Sequence, residues 1–278
     1  MKNILIPTDF SDNSWNAVAY SLEFFKQHAC NFYVLHVAKN IAVNEMGFDF
    51  SDQLTPITNT EGTYSDLKQF IASIKKLSKN DQHWFFPIQE ELFLIDSIRR
   101  QVVEKKIDYI VMGTKGASGL KGVAVGSNTG DVITKVKCPI LVIPEKAHFK
   151  SVNKIVLPTD FHISYTPAVI TTLIEILDLQ KASLEVLNIK KHEYQQLTDL
   201  QQENKEYIDA HLYPYTHSFH TQTNDKIEIA LQCFVECHQI NLIAMVAKNL
   251  NFFQRLLFEP LVEQISYHTE IPFLVLHE

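Results

Sequence analysis

Glycine is scarce in this chain: eight residues in 278, under half the usual share of about 7%. No apolar run approaches the roughly 18 residues that cross a bilayer, which argues against a membrane-spanning helix. The opening MKNILIPTDF reaches Asp9 and Asp12 before a secretory h-region of about 7–15 residues could form, so no signal peptide is expected. Cysteine is sparse as well. Cys30, Cys138, Cys233 and Cys237 offer neither a disulfide framework nor a paired CxxC metal site, and a reduced, cytoplasmic protein is the expectation. Basic runs are missing too. The net charge is −7, with residues 1–148 balanced at 16 against 16 and residues 149–278 carrying 9 basic against 16 acidic groups. An acidic half repels phosphate backbones, which disfavours nucleic acid as a partner. With 46% hydrophobic and 21% charged residues, the composition is globular rather than disordered.

What glycine there is has been concentrated. Six of the eight (Gly113, Gly116, Gly119, Gly122, Gly126, Gly130) fall within 18 residues, and none follows Gly130. Such a cluster marks a backbone that turns sharply or closely approaches a ligand.

The chain also repeats itself. NILIPTDF at 3–10 returns as KIVLPTDF at 154–161, and VLHV at 34–37 as VLNI at 186–189. DYIVM at 108–112 matches NLIAM at 241–245, and CPILVIPE at 138–145 matches IPFLVLHE at 271–278, both at an offset of 133. Four segments in the same order make a tandem duplication, expected to divide into residues 1–148 and 149–278 with a short polar link at Lys146–Ser151. The second copy is about 19 residues shorter between its second and fourth conserved segments, where the first has an apparent loop around residues 44–64.

Short β-branched runs (Ile4–Ile6, Phe32–Val37, Tyr109–Met112, Ile140–Ile143) alternate with helical spacing. Val18, Leu22, Phe25 and Ala29 fall on one helix face. Near-continuous apolar strands between amphipathic helices argue for an α/β fold, two tandem doubly wound, Rossmann-like domains with five parallel strands each.

In the first copy the fourth strand runs into Gly113-Thr-Lys-Gly116 and, nine residues later, Gly126-Ser127-Asn128-Thr129. Glycines here would let backbone N–H groups face a ligand, with Ser127 expected as a helix N-cap where free amides and the dipole favour phosphate. Ser127 and Thr129 would add hydroxyl donors. No GxGxxG or GxxxxGK[ST] occurs, so neither the dinucleotide fingerprint nor the P-loop fits.

The G-2x-G-9x-G-[S/T] spacing of Gly113, Gly116, Gly126 and Ser127 resembles the signature of the universal stress proteins. So do the Pro7-Thr8-Asp9 turn, Leu35-His36-Val37 at the second strand end, and Cys138-Pro139 before the last strand. The resemblance implies a nucleotide crevice between the first and fourth strands. Asp9 would accept from ribose hydroxyls, backbone groups of Thr8 and Val37 would contact adenine, and Gly113, Gly116, Gly126, Ser127 and Asn128 would wrap the phosphates, with Pro7, Met112 and Thr129 also at the nucleotide. The implied ligand is ATP, with ADP or AMP as alternatives and Mg2+ as a companion of the triphosphate. The family's single-domain members pair their last strands, so Pro139–Ile143 and Pro272–Leu276 are expected to pair within this chain as a pseudo-dimer. Association of two chains into a homodimer stays open.

In the second copy Gly113, Gly116, Gly126 and Ser127 become Val246, Asn249, Glu259 and Pro260. Each change opposes phosphate binding, so one nucleotide per chain is expected. Other groups are ambiguous. Lys115 and Lys121 either neutralise phosphate or are solvated. Cys233, Cys237 and His238 read as buried helix packing before metal ligands, and His211, His217 and His220 as strand and loop before a metal patch. Phe252, Phe253, Leu256 and Leu257 read as a core plug or a partner surface. Three functions stay open: an ATP-binding stress-response regulator acting on an unidentified protein partner, a slow ATPase without a dedicated catalytic residue, and a nucleotide-free interaction scaffold.

Overall fold

A computed structural model of the chain describes residues 1–38, 60–91, 93–114, 126–192, 194–247 and 270–278. In order, the described elements are β1 (Lys2–Pro7), α1 (Asp12–Phe24), β2 (Cys30–Val37), α2 (Thr60–Leu77), β3 (His83–Glu90), α3 (Leu94–Glu104), β4 (Tyr109–Gly113), α4 (Ser127–Lys135) and β5 (Ile140–Ile143) in the first copy. The second copy gives β6 (Lys154–Thr159), α5 (Pro167–Gln180), β7 (Ser183–Lys190), α6 (Asp199–Leu212), β8 (His217–Thr223), α7 (Ile227–His238), β9 (Leu242–Val246) and β10 (Phe273–Leu276). All four predicted strand runs are strands. The helix predicted through Ala29 stops at Phe24, with Phe25 as its C-cap, and Ala29 falls in the turn into β2.

The strands form one ten-stranded sheet in the order β3-β2-β1-β4-β5-β10-β9-β6-β7-β8. Within each half neighbouring strands are parallel. At the centre β5 and β10 pair antiparallel, with Leu141 opposite Leu274. This is the intrachain pairing expected of the two last strands. Two apolar layers cover the sheet. One joins it to α1, α2, α5 and α6, the other to α3, α4 and α7, and both run across the two copies. Strands buried on both faces explain the near-continuous apolar runs.

Polar contacts lock the copies together beside this seam. Tyr109 Oη donates to Glu175 Oε1 at 2.7 Å, Lys2 Nζ meets the same oxygen at 2.6 Å, and Gln180 Nε2 donates to the Phe24 carbonyl at 2.9 Å. The polar link is pinned as well. Asn16 Nδ2 donates to the carbonyls of Pro144 and Ala147, both at 3.1 Å, and Phe149 packs edge-on to Tyr20.

Leu274 is fully buried in the seam. Leu274→Ala is expected to lower stability by about 2–5 kcal/mol while urea unfolding stays a single transition. Two separate transitions, or a loss within about 0.5 kcal/mol as for a surface change, would contradict a shared seam.

Candidate functional site

The connections from β1 and β4, neighbours in the sheet, leave in opposite directions, toward β2 and toward β5. A crevice opens at such a switch point, at the carboxyl ends of the strands. Strand alternation decides what lines it. Leu5 and Met112 belong to the layer under α3 and α4, and Val37 packs against that layer. Pro7, two residues beyond Leu5, shares its face. Pro7, Val37 and Met112 therefore lie on one side of the strand ends, the side from which α4 rises.

Above β1 the chain makes a tight turn. Phe10 is left-handed at φ 62°, a conformation rare for a side chain of this size. Thr8 holds it: its Oγ1 accepts the Phe10 N–H at 3.0 Å and bonds Ser14 Oγ at 2.9 Å, while its carbonyl accepts from His36 Nδ1 at 2.9 Å. The His36 ring stacks on Phe10 at 4.4 Å. Asp9 is thereby left exposed at the strand end, its Oδ1 accepting from the N–H and hydroxyl of Ser11, the N-cap of α1.

Gly113 ends β4 in strand conformation, so glycine is favoured there by space rather than by torsion. A Cβ there would come within 3.0 Å of the Asn13 carbonyl oxygen in the first turn of α1. Beyond it the Thr114 N–H donates to Ile143 O, and the Gly126 N–H donates to Thr114 O at 2.6 Å. This brings the start of α4 onto the end of β4. The N-cap is Gly126, correcting the assignment of Ser127, which is the first helical residue. Thr129 also differs from expectation. Its buried hydroxyl donates to Gly113 O at 2.8 Å, so it clamps α4 to β4 rather than offering a free donor. The amides of Ser127, Asn128 and Thr129 precede the first intrahelical bond, Gly130 N–H to Gly126 O. Among the described residues no side chain caps them, and no acidic residue stands in the first turn. Ser127 and Asn128 are exposed. Gly116, Lys115 and Lys121, the loop expected at 44–64 (all but its last residues), and Phe252, Phe253, Leu256 and Leu257 lie outside the described residues.

The second copy repeats the turn and fills it. Phe161 is left-handed at φ 57°, with its N–H on Thr159 Oγ1 at 2.9 Å. In place of Ser14 stands buried Tyr165, its hydroxyl on Thr159 Oγ1 at 2.6 Å. In place of His36 is Asn188, whose Nδ2 donates to Thr159 O at 3.0 Å. Asp160 is held by His162 at 3.2 Å, and its carbonyl accepts from Gln201 Nε2 at 2.7 Å. Val246 pairs with Leu276 as Gly113 pairs with Ile143, which fixes the equivalence. Asn249, Glu259 and Pro260 lie outside the described residues.

Sequence reasoning overlooked several supports. Ser14, His36 and Asn13 hold the turn and the Gly113 contact; the Ser11-x-x-Ser14 spacing was a visible capping signal. Glu90, the register partner of Val37, is a buried carboxylate. Its Oε1 takes Arg100 at 2.6 Å and Gln101 Nε2 at 2.5 Å, tying α3 to β3. Burial acts to raise its pKa, but hydrogen bonds from Arg100, Ser97 and Gln101 and the Arg100 charge outweigh it and hold Glu90 below the usual carboxylate range.

Among known proteins, the family model described as the universal stress protein family matches residues 1–144. Two universal stress proteins of Methanocaldococcus jannaschii are similar in sequence. MJ0531 is 29% identical over 153 residues, 51% of this chain and 81% of that protein; MJ0577 is 28% identical over 160 residues, 52% and 96%. The crystal structure of a universal stress protein from Archaeoglobus fulgidus DSM 4304 superposes with a TM-score of 0.63 at 17% identity, covering 99% of this chain and 96% of that one. That likeness extends the shared fold over both copies.

Two outcomes follow. Thr129→Val leaves the Gly113 carbonyl without its donor and should cost about 1–3 kcal/mol in urea unfolding; wild-type stability would show that the clamp is idle. Glu90 titrates lower in the folded chain than in the unfolded one. Its stabilisation is therefore complete above the unfolded value of about 4.3 and fades as pH falls through the folded pKa. Glu90→Gln should flatten that acidic limb of the stability profile, and parallel limbs for the two proteins would remove the ion pair from the account.

Proposed function

Because the chain belongs to the universal stress protein family, we propose that its N-terminal half, residues 1–148, binds one adenine nucleotide, ATP before ADP or AMP, and that occupancy regulates contact with a protein partner. The observation that carries this is the α4 N-terminus, set by Gly126 at the mouth of the β1/β4 crevice, its first amides without a cap among the described residues. Amides in that arrangement, at the positive end of the helix dipole, suit phosphate oxygens. The exposed side chains of Ser127 and Asn128 stand beside them.

The remaining roles follow from placement. Pro7, Val37 and Met112 give an apolar surface for the base, and the backbone of Thr8 lies at its edge. Exposed Asp9 is the acceptor for ribose hydroxyls, held in place by Ser11. Gly113 lets the first turn of α1, and with it the Asp9 turn, close onto the end of β4, and Gly116 and Gly126 bring main-chain donors to the phosphates. Thr129 acts from below by fixing Gly113. Among the described residues no group of three or more His, Cys, Asp or Glu side chains could hold a metal, so Mg2+ would ride on the phosphates. The chain's own residues bind and orient; none is assigned to activate water. In residues 149–278, Val246 stands at the position of Gly113, and Tyr165 and His162 replace Ser14 and Ser11 around the turn, which supports a single nucleotide per chain and a role for that half in protein contacts.

Nucleotide binding is tested by thermal unfolding with ATP. At 100 times Kd, one site stabilises by about 2.7 kcal/mol. That shift should be lost in Gly126→Glu, whose carboxylate repels phosphate by about 1 kcal/mol at ~4 Å in water and more in a drier site. Calorimetry should give one ATP per chain. No shift in the wild type, or two sites per chain, would overturn the proposal.

A further inference from the structure

The four cysteines divide sharply. Cys30 and Cys138 are buried, and burial pushes each thiol up to about 12. They are inert packing groups. Cys233 and Cys237 are both exposed, which overturns the expectation that they pack in the core. The phase of α7 explains why. Its inward stripe is Ala230, Leu231, Phe234 and Val235, so positions 233 and 237 fall on the outward side. Their counterparts on α3, at the offset of 133, are Arg100 and Glu104, both exposed. A solvent-facing pair of ionic residues in the first copy is thus a solvent-facing pair of thiols in the second.

Residues four apart on a helix are neighbours, with Cβ atoms about 5–6 Å apart. Rotation about each Cα–Cβ bond can then bring both sulfurs onto one atom. The surroundings decide which chemistry this suits. Thiols that react with peroxides sit in electropositive settings that favour the thiolate. This pair instead stands in the last turns of α7, at the negative end of the helix dipole, and Glu236 lies between the two in sequence. The adjacent His238 is turned inward, its Nδ1 on the Phe234 carbonyl at 3.1 Å and its ring stacked on Phe234 at 3.8 Å. Peroxide sensing is therefore the poorer fit. A tetrahedral zinc site is also a poor fit, since it needs four ligands and no group of three or more His, Cys, Asp or Glu could hold a metal among the described residues. What the surface offers is two sulfurs, with no third protein ligand among the described residues.

We propose that Cys233 and Cys237 form a two-thiol capture site on α7 for soft, thiophilic species that accept two sulfurs, trivalent arsenic above all. Soft thiolate ligands select soft acceptors. With an organoarsenic oxide, R–As=O, two As–S bonds form and both S–H bonds break. The oxygen leaves as water carrying the two protons, and arsenic stays trivalent, so no oxidant or reductant is needed. The site is independent of the nucleotide crevice.

Phenylarsine oxide, which bridges two thiols, is the probe. On the folded, reduced full chain, a thiol reagent should titrate two cysteines. After phenylarsine oxide it should titrate none, and intact mass should show one phenylarsenic group bound with loss of one water. Cys233→Ser and Cys237→Ser, both at exposed positions, should fold as the parent does. Each should bind at least about 100-fold more weakly, because the second sulfur no longer contributes its effective concentration. Equal affinity in either single variant, or a titration that finds neither thiol accessible, would overturn the site.

Discussion

The antiparallel pairing of β5 with β10 is the constraint on which the rest of the molecule depends. Each half alone would end its sheet in a buried apolar strand, Ile140–Ile143 or Phe273–Leu276. A row of unpaired main-chain groups there is a template for aggregation. Joined, the two edges disappear into the centre of a single sheet. The pairing also fixes direction. Because β5 and β10 run oppositely while each half is parallel within itself, the carboxyl ends of β1 and β4 and those of β6 and β9 open at opposite ends of the sheet. Neither crevice can share a ligand with the other, so one could be filled without disturbing its twin.

The twins differ in an instructive order. The Thr-Asp-Phe turn survives in both, down to the left-handed phenylalanine and the Thr Oγ1 that accepts its N–H. Such a conformation persists where its surroundings over-determine it. Retention of Asp160 is therefore explained by the turn, without a ligand. The neighbours of the turn diverge. A small hydroxyl at Ser14 is replaced by a buried tyrosine at 165, and a stacking imidazole at His36 by the compact amide of Asn188, which keeps only the bond to the threonine carbonyl. The turn and its acidic residue are kept, while the side chains packed around the turn and the glycine at the end of β4 are changed.

That division also explains what was legible beforehand. The repeat, the strands and the central pairing were readable because they rest on apolar runs whose period and order are local properties of the sequence. Placement at the crevice was partly readable, since glycine and the switch-point topology leave compositional traces. The supports were not. Nothing in the sequence joins Asn13 to Gly113, a hundred residues apart, or Glu90 to Arg100 and Gln101. Such contacts exist only once helices pack on the sheet. Ser127 was misplaced by one residue because a serine before a helix usually caps it, whereas here Gly126 takes the cap and the buried hydroxyl of Thr129 supplies the tie. Cys233 and Cys237 were misread because the phase of α7 is set by Phe234, which packs against His220 of β8 and stacks on His238 one turn further along the same helix.

Gly113 shows how one packing contact can govern the fate of a whole site. Its missing side chain lets the first turn of α1 rest on the end of β4, with Asn13 O 3.0 Å from where a Cβ would stand. That same turn begins at Ser11, which holds Asp9. The glycine and the acidic side chain are thus coupled through one helical turn. In the second copy the helix starts later: α5 begins at Pro167, about one turn beyond the position equivalent to Asp12. The backbone that would collide with a side chain on β9 is withdrawn, and Val246 is accommodated, nearly buried. Loss of the glycine and loss of the first helical turn are therefore two faces of one change. Restoring glycine at 246 alone would leave a gap where the valine packs and no helix start to close it, so the second crevice cannot be rebuilt from the phosphate loop alone.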